Sequence, residues 1–378
     1  MRVALLGDYP LCPQHIEGGV EAVLLHLVRG FTQLGGLDLH VITCQAGVGD
    51  QQRYTPEGVP LHFLRRHRMG RLTFHLRDVR HLHEVLQEVA PDVVHAHGTG
   101  IYATAALGSG YPAVITVHGV VFRETQIARG LTRKMRGALD SLIEHRNLAQ
   151  ARHVIAISPY VEREFAPLTR AWIYHIENPV GDEFFDVASN SGSHIILFVG
   201  RLIPRKAPLH LLQAFVRVRK AVPDAQVWFA GEAESDTDYA ETLRKFASEH
   251  GLQDAVSFLG ALDQKALLQT YADCALLVLP SKQETAPIAV AEAMAAGRPV
   301  VATRVCGLPY MVDDGRTGLL VDYGDVDGLA SAITILLVDE ERRRAMGGAA
   351  REEAEQRFRP KVVAQRTLET YHQVLKAK

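Results

Sequence analysis

The stretch CALLVLPSKQETAPIAVAEAMAAGRPVVAT, residues 274–303, decides the fold. Its opening residues form a near-continuous apolar run, the pattern of a strand buried on both faces, ending at Ser281. A short polar break follows. In PIAVAEAMAAG, Ala and Met favour helix, Pro287 suits a first helical position and Gly297 a stop. RPVVAT then opens a second apolar strand. Strand, loop, helix and strand in that order make a βαβ unit of a parallel sheet.

The same rhythm fills the chain. VALLG, LHVITC, DVVHAH, AVITVHG and HVIAIS alternate with helix-periodic segments up to about Ser158. The pattern restarts after residue 190 with HIILFVGR, AQVWFAGE and VSFLG. At 378 residues the chain suits two cores rather than one. The expected fold class is therefore α/β, with two Rossmann-like, doubly wound parallel-sheet domains over residues 1–180 and 181–360. ENPVGDEFFDVASNSGS, residues 177–193, carries Gly, Asn and Ser without a helical period and reads as the linker between them.

With 47% hydrophobic and 22% charged residues, the composition is that of a soluble globular protein, and the net charge of −2 argues against a general nucleic-acid partner. No apolar run reaches the roughly 18 residues of a membrane span, and MRVALLGDYP breaks too early for a signal peptide, so a cytoplasmic location is expected. Cys12, Cys44, Cys274 and Cys306 lack metal-ligand spacing and read as reduced thiols, with Cys44 and Cys274 in strands. The first strand runs into GDYPLCPQHIEGG, which has no G-x-G-x-x-G. That weakens a dinucleotide reading.

Chemistry-bearing residues gather at strand ends, where doubly wound folds hold ligands. Glu284 falls in the loop after a strand, and Glu292 about two turns into the next helix. Their separation along a helix would be about 12 Å at 1.5 Å per residue. That suits one carboxylate for a sugar ring and another for a ribose, with Thr285 and Ala286 beside them; a solvated loop acid and a surface helix charge are the plainer alternative. Arg201 and Lys206 follow the strand IILFVG and can clamp a diphosphate without a metal, or be two surface cations. Gly18 and Gly19 open a helix whose N–H groups can face phosphate, or simply make a turn. His118 ends a strand, where a structural role is the ordinary one.

Taken together, ETAPIAVAEAMAAGRPVV, EGGVEAVLLHLVRGFTQLG, PDVVHAHG, TVHG, VGRLIPRKAP, FAGE, VSFLG and ADCALLVLPS resemble, in order and spacing, the retaining glycosyltransferase family 4 of GT-B fold, also called glycosyl transferases group 1. The resemblance runs through almost the whole chain. It implies two domains facing across a cleft, a nucleotide-sugar site in the second, acceptor contacts in the first, and a terminal helix at about 361–378 packing back on the first. It assigns Arg201, Lys206, Gly18 and Gly19 to the donor diphosphate, Glu284, Thr285, Ala286 and Glu292 to the donor sugar and ribose, and His118 and Glu284 to catalysis. His15, His97, Tyr102 and Arg123 lie in matching acceptor loops. The chain departs from the family at Glu284-Thr285-Ala286-Pro287, where Glu-Gly-Phe-Gly is common, and Pro287 removes a backbone donor.

The implied function is transfer of a sugar, with retention and without metal or other cofactor, from a nucleoside-diphosphate donor to a hydroxyl of a glycan, a lipid-linked or a small-molecule acceptor. UDP is the first carrier and GDP-mannose the second. A nucleotide-sugar epimerase and a non-catalytic nucleotide-sugar-binding protein are the alternatives. Two Asp-x-Asp triplets, at 236–238 and 325–327, precede helices and read as caps rather than metal ligands. His95 and His97 share a strand face and read as packing or pocket lining. RRHRMGRLTFHLRDVRHLH, residues 65–83, sets six arginines against one aspartate. It can form a helix with Leu72, Leu76, Val79, Leu82 and Leu86 on one side and a basic face opposite, suited to an anionic acceptor or to peripheral contact with the inner membrane face.

Overall fold

The structure, a computed structural model, describes residues 1–12, 16, 18–67, 70–73, 75–119, 131–188, 192–232 and 237–377. The chain divides into two compact units, one of Met1–Pro13, Glu17–Pro179 and Pro360–Lys378, the other of Gln14–Ile16 and Val180–Arg359. The candidate residues His15 and Arg123 lie outside the described residues.

The first unit runs β1 (Arg2–Leu6), α1 (Gly19–Leu34), β2 (Asp38–Gln45), β3 (Gln51–Tyr54), β4 (Pro60–Arg65), α2 (Leu76–Val89), β5 (Val93–His97), α3 (Ile101–Gly108), β6 (Ala113–Val117), α4 (Leu131–Gln150), β7 (His153–Ala156), α5 (Pro159–Phe165) and β8 (Trp172–His175). Its sheet has the order β3-β4-β2-β1-β5-β6-β7-β8. All neighbours are parallel except β3 with β4. The chain leaves β1 toward β2 on one side and returns to β5 on the other, so the topological switch point lies between β1 and β5. Val3–Leu6 and Val93–His97 are buried along their whole length, as the continuous apolar runs require.

The second unit runs α6 (Asp182–Phe185), β9 (Ile195–Val199), α7 (Pro208–Ala221), β10 (Gln226–Ala230), α8 (Thr237–Glu249), β11 (Val256–Gly260), α9 (Gln264–Asp273), β12 (Leu276–Leu279), α10 (Ile288–Ala295), β13 (Val300–Thr303), β14 (Gly318–Val321), α11 (Val326–Val338) and α12 (Glu340–Arg357). Its six strands are all parallel, in the order β11-β10-β9-β12-β13-β14. Here the switch point lies between β9 and β12. The last helix, α13 (Pro360–Lys376), belongs to the first unit. It packs on α1, where a Cβ on Gly30 would come within 2.2 Å of the Pro360 carbonyl oxygen, and Tyr371 stacks on Phe31 at 5.8 Å between centroids.

Several expectations change. The stretch 177–193 is more than a linker: the boundary falls at Pro179 and Val180, and Phe184 and Phe185 of α6 are buried in the second core. Two bulky apolar residues in a polar stretch were enough to draw it inward. Pro287 is the cap residue before α10, not its first residue, which leaves Glu292 only a little over one turn into the helix. Cys274 caps α9 rather than lying in a strand; all four cysteines are free. Helix α2 begins only at Leu76, which is 69% exposed; of the expected stripe Leu82 and Leu86 are buried, joined by Val85 and Val89, and Val79 is half-buried. Asp78, the one aspartate of residues 65–83, is buried and accepts from His67 Nδ1 at 2.6 Å and His75 Nδ1 at 3.1 Å. In α13 the buried stripe is Val363, Ala364, Thr367, Thr370, Tyr371 and Val374, with Leu368 and Leu375 only half-buried. Among the described residues no helix is long and apolar enough to cross a membrane.

Candidate active site

In the second unit one expected cation, Lys206, and one expected carboxylate, Glu284, meet at the switch point. Arg201 and Lys206 follow β9, and Glu284 follows β12, its immediate neighbour in the sheet. Gly200 has φ +140°, a conformation side chains disfavour, and the Lys206 side chain lies across it. Lys206 Nζ thereby reaches Glu284 Oε1 at 3.0 Å, and both side chains are largely buried. Ser281 Oγ donates to the same carboxylate oxygen at 2.9 Å. Thr303 Oγ1 in turn donates to the Ser281 carbonyl at 2.5 Å.

Backbone stitching fixes the loop that carries Glu284. Arg205 donates to the Gln283 carbonyl at 2.9 Å, and Lys282 N to the Arg205 carbonyl at 2.8 Å. Gly307 N donates to the Glu284 carbonyl at 2.8 Å, and a Cβ at Gly307 would overlap the Thr285 carbonyl oxygen. Thr285 and Ala286 are half-buried beside it, and Arg201 is exposed. An ammonium has three donors, so Lys206 can hold Glu284 and still offer N–H groups to a phosphate.

Glu292 is buried on α10 and accepts from Tyr271 Oη at 2.8 Å. Burial pushes its carboxyl up to about 7, against the opposing effect of the Tyr271 hydrogen bond. Neither glutamate is the solvated surface charge that spacing alone allowed. Asp325 caps α11, accepting from Gly328 N at 2.8 Å, and Asp327 pairs with Arg217; Asp236 lies outside the described residues.

In the first unit, His97 ends β5 and His118 follows β6. His97 Nδ1 and His118 Nε2 are 3.0 Å apart. His95 packs against His97 at 4.4 Å between centroids and has both nitrogens engaged, Nδ1 with Tyr371 Oη and Nε2 with Thr116 Oγ1, each at 2.6 Å. Burial lowers His95 to about 3 and His118 to about 4, and holds His97 well below the usual range. The cluster is neutral at physiological pH. Tyr102 is buried and donates to Asp8 Oδ1 at 2.7 Å while accepting from Cys44 N at 3.0 Å. Tyr102 and His97, expected among acceptor contacts, thus have their polar atoms turned into the unit. Gly18 caps α1 and Gly19 begins it, and the cap residue itself makes no side-chain hydrogen bond to the helix start. Sequence reasoning missed Ser281, Arg205 and Tyr271. Tyr271 lies on α9 and reaches Glu292 only through tertiary packing.

Solved structures share this architecture end to end. Sucrose-phosphate synthase from Thermosynechococcus elongatus superposes with a TM-score of 0.82 at 22% identity, covering 100% of both chains. HepE from Anabaena, solved with UDP-glucose, gives 0.77 at 21%, covering 99% of this chain and 100% of that one. The fold is GT-B, two parallel-sheet α/β domains. Residues 17–184 match Glycosyltransferase Family 4, and residues 180–353 match Glycosyl transferases group 1. The chain belongs to this family of glycosyltransferases. A D-inositol 3-phosphate glycosyltransferase of Corynebacterium aurimucosum is 32% identical over 218 residues, 57% of this chain and 50% of the relative. A GDP-mannose-dependent alpha-(1-6)-phosphatidylinositol monomannoside mannosyltransferase of Mycolicibacterium smegmatis is 35% identical over 164 residues, 42% of each. The matches therefore span about half of each curated relative or less.

Proposed function

We propose that the protein transfers a hexosyl group from a nucleoside-diphosphate sugar to a hydroxyl acceptor, with UDP as the preferred carrier and GDP-mannose the second. The observation that carries this reading is the Lys206–Glu284 contact at 3.0 Å beside the switch point of the second sheet. It joins a cation suited to a diphosphate to a carboxylate suited to sugar hydroxyls. Transfer develops negative charge on the departing diphosphate and positive charge on the sugar ring. Lys206 and Arg201 meet the first without a metal, Glu284 orients the sugar, and Glu292 accepts from the ribose. His118 is the catalytic candidate that the first unit supplies. Attack from the face the nucleotide leaves retains configuration, and the acceptor proton passes to an oxygen of the departing diphosphate.

A glycan, a lipid-linked or a small-molecule hydroxyl serves as acceptor. Exposed Leu76, Arg77 and Arg80 at the start of α2 support contact with an anionic membrane surface. A thermal-shift screen of UDP, GDP and their sugar conjugates in EDTA tests the donor assignment. A ligand of the native state at 100 times its dissociation constant stabilises by about 2.7 kcal/mol. No response to any nucleotide would overturn the reading.

A further inference from the structure

The Glu284 carboxylate meets its protein neighbours through one oxygen position only. Oε1 accepts from Lys206 Nζ at 3.0 Å and from Ser281 Oγ at 2.9 Å. Oε2 has no hydrogen-bond partner among the described residues, in a side chain only 8% exposed. An ionised carboxylate only accepts, with about two lone pairs on each oxygen. Those of Oε1 are taken, and those of Oε2 are left. Ser281 is itself held fast. It is fully buried just behind β12, and its carbonyl accepts from Thr303 Oγ1 at 2.5 Å. Glu284 is the one hydrogen-bond partner of its hydroxyl among the described residues. Beyond it, the Glu284 carbonyl accepts from Gly307 N at 2.8 Å, so the main chain is pinned on both sides of the contact.

We propose that Ser281 is a positioning residue which, together with Lys206, occupies one oxygen of Glu284 and leaves the other, at the Oε2 position, as the atom that reads the donor sugar. This rests on the reading of Glu284 as the residue that orients that sugar. The consequence is a rule of specificity. Oε2 can only accept, so the sugar must present an O–H there, and a group that can only accept is refused. The two oxygens of a carboxylate are equivalent, but those of an amide are not. In Glu284→Gln the carbonyl must face the ammonium and the Ser281 hydroxyl, because an ammonium has donors alone. The NH2 then takes the Oε2 position and meets the sugar as a donor.

The test begins with the ligand-free full chain. Ser281→Ala should lower the Tm of the unmodified protein, where it removes a hydrogen bond to a carboxylate, and should leave the Tm of Glu284→Ala unchanged or raised, where it removes a hydroxyl with no partner. Equal losses in the two backgrounds would make Ser281 a packing residue and overturn the proposal. The second measurement is calorimetric binding of UDP-glucose and of the set in which fluorine, an acceptor without a proton, replaces one glucose hydroxyl at a time. The unmodified protein should bind one member of the set on the order of tenfold or more less tightly than UDP-glucose. Glu284→Gln should bind that same member at least as tightly as UDP-glucose. Ser281→Ala should weaken UDP-glucose on the order of tenfold, and should weaken it no further in Glu284→Ala. A fluorine penalty that persists in Glu284→Gln, or a Ser281→Ala loss that persists in Glu284→Ala, overturns the proposal. The Tm comparison needs no ligand, so its failure is separate from failure of the transferase reading, which would appear as no binding of UDP-glucose or of any other nucleotide sugar.

Discussion

At the ends of neighbouring central strands, the two units present contrasting electrostatics. After β9 and β12 the second unit sets charged groups against each other, Lys206 on Glu284, largely out of water. After β5 and β6 the first unit places three imidazoles that burial keeps neutral. A charged pair out of water is strongly sensitive to loss of one partner, whereas a neutral cluster exposes only unmet hydrogen bonds when cut. The difference is in keeping with the proposed placing of the donor diphosphate in the second unit.

The largest effect should come from breaking the charged pair. Lys206→Met leaves Glu284 buried and unpaired, and denaturant unfolding should show a loss of about 3–5 kcal/mol. Adding Glu284→Gln should return much of that stability, since no lone charge remains. If the double variant is no more stable than the single, the pair is not the source of the loss. In the neutral cluster the corresponding cut is Tyr371→Phe, which strips His95 Nδ1 of its partner. It should cost about 1–3 kcal/mol by the same measurement. A loss equal to that of Lys206→Met would erase the contrast.

Glu292 sharpens the comparison, being a carboxylate that burial treats like the imidazoles. Its pKa in the folded protein is about 7, above the ordinary carboxylate value of 4.5. The folded protein therefore keeps a proton that the unfolded chain releases between those values. That contribution is complete below the ordinary value and is lost as pH rises through about 7. Melting temperatures from pH 5 to 8 should fall more steeply for the unmodified protein than for Glu292→Gln, and parallel profiles would contradict the assignment. The smallest effect belongs to the surface. Leu76→Ser with Arg77→Gln and Arg80→Gln should change stability by less than about 0.5 kcal/mol. The same variant should weaken salt-sensitive sedimentation with anionic liposomes; binding equal to that of the unmodified protein would remove α2 from the membrane reading.

The fold was legible because the strands are buried on both faces and announce themselves as apolar runs. The Glu284 and Glu292 spacing and the Arg201 and Lys206 motif were legible too, since both sit directly behind such runs. What the sequence hid is what tertiary packing decides. Phe184 and Phe185 pull a polar stretch into a core. Leu76 faces solvent because α2 starts later than its apolar period suggests, and Asp78 turns inward to two histidines. Tyr271 and Ser281 reach the glutamates from positions that carry no motif. The engagement of His97 with His118 joins residues 21 positions apart on neighbouring strands, which only the register of β5 on β6 reveals.

The most direct test of the account is a calorimetric titration of UDP, in EDTA, into the unmodified protein and into Lys206→Met. Binding that survives EDTA and weakens at least about a hundredfold in the variant, some 2.7 kcal/mol, is the result expected of a buried ammonium meeting a diphosphate. Equal affinities for the two proteins, or binding that EDTA abolishes, would contradict the phosphate role of Lys206 and the metal-free site with it.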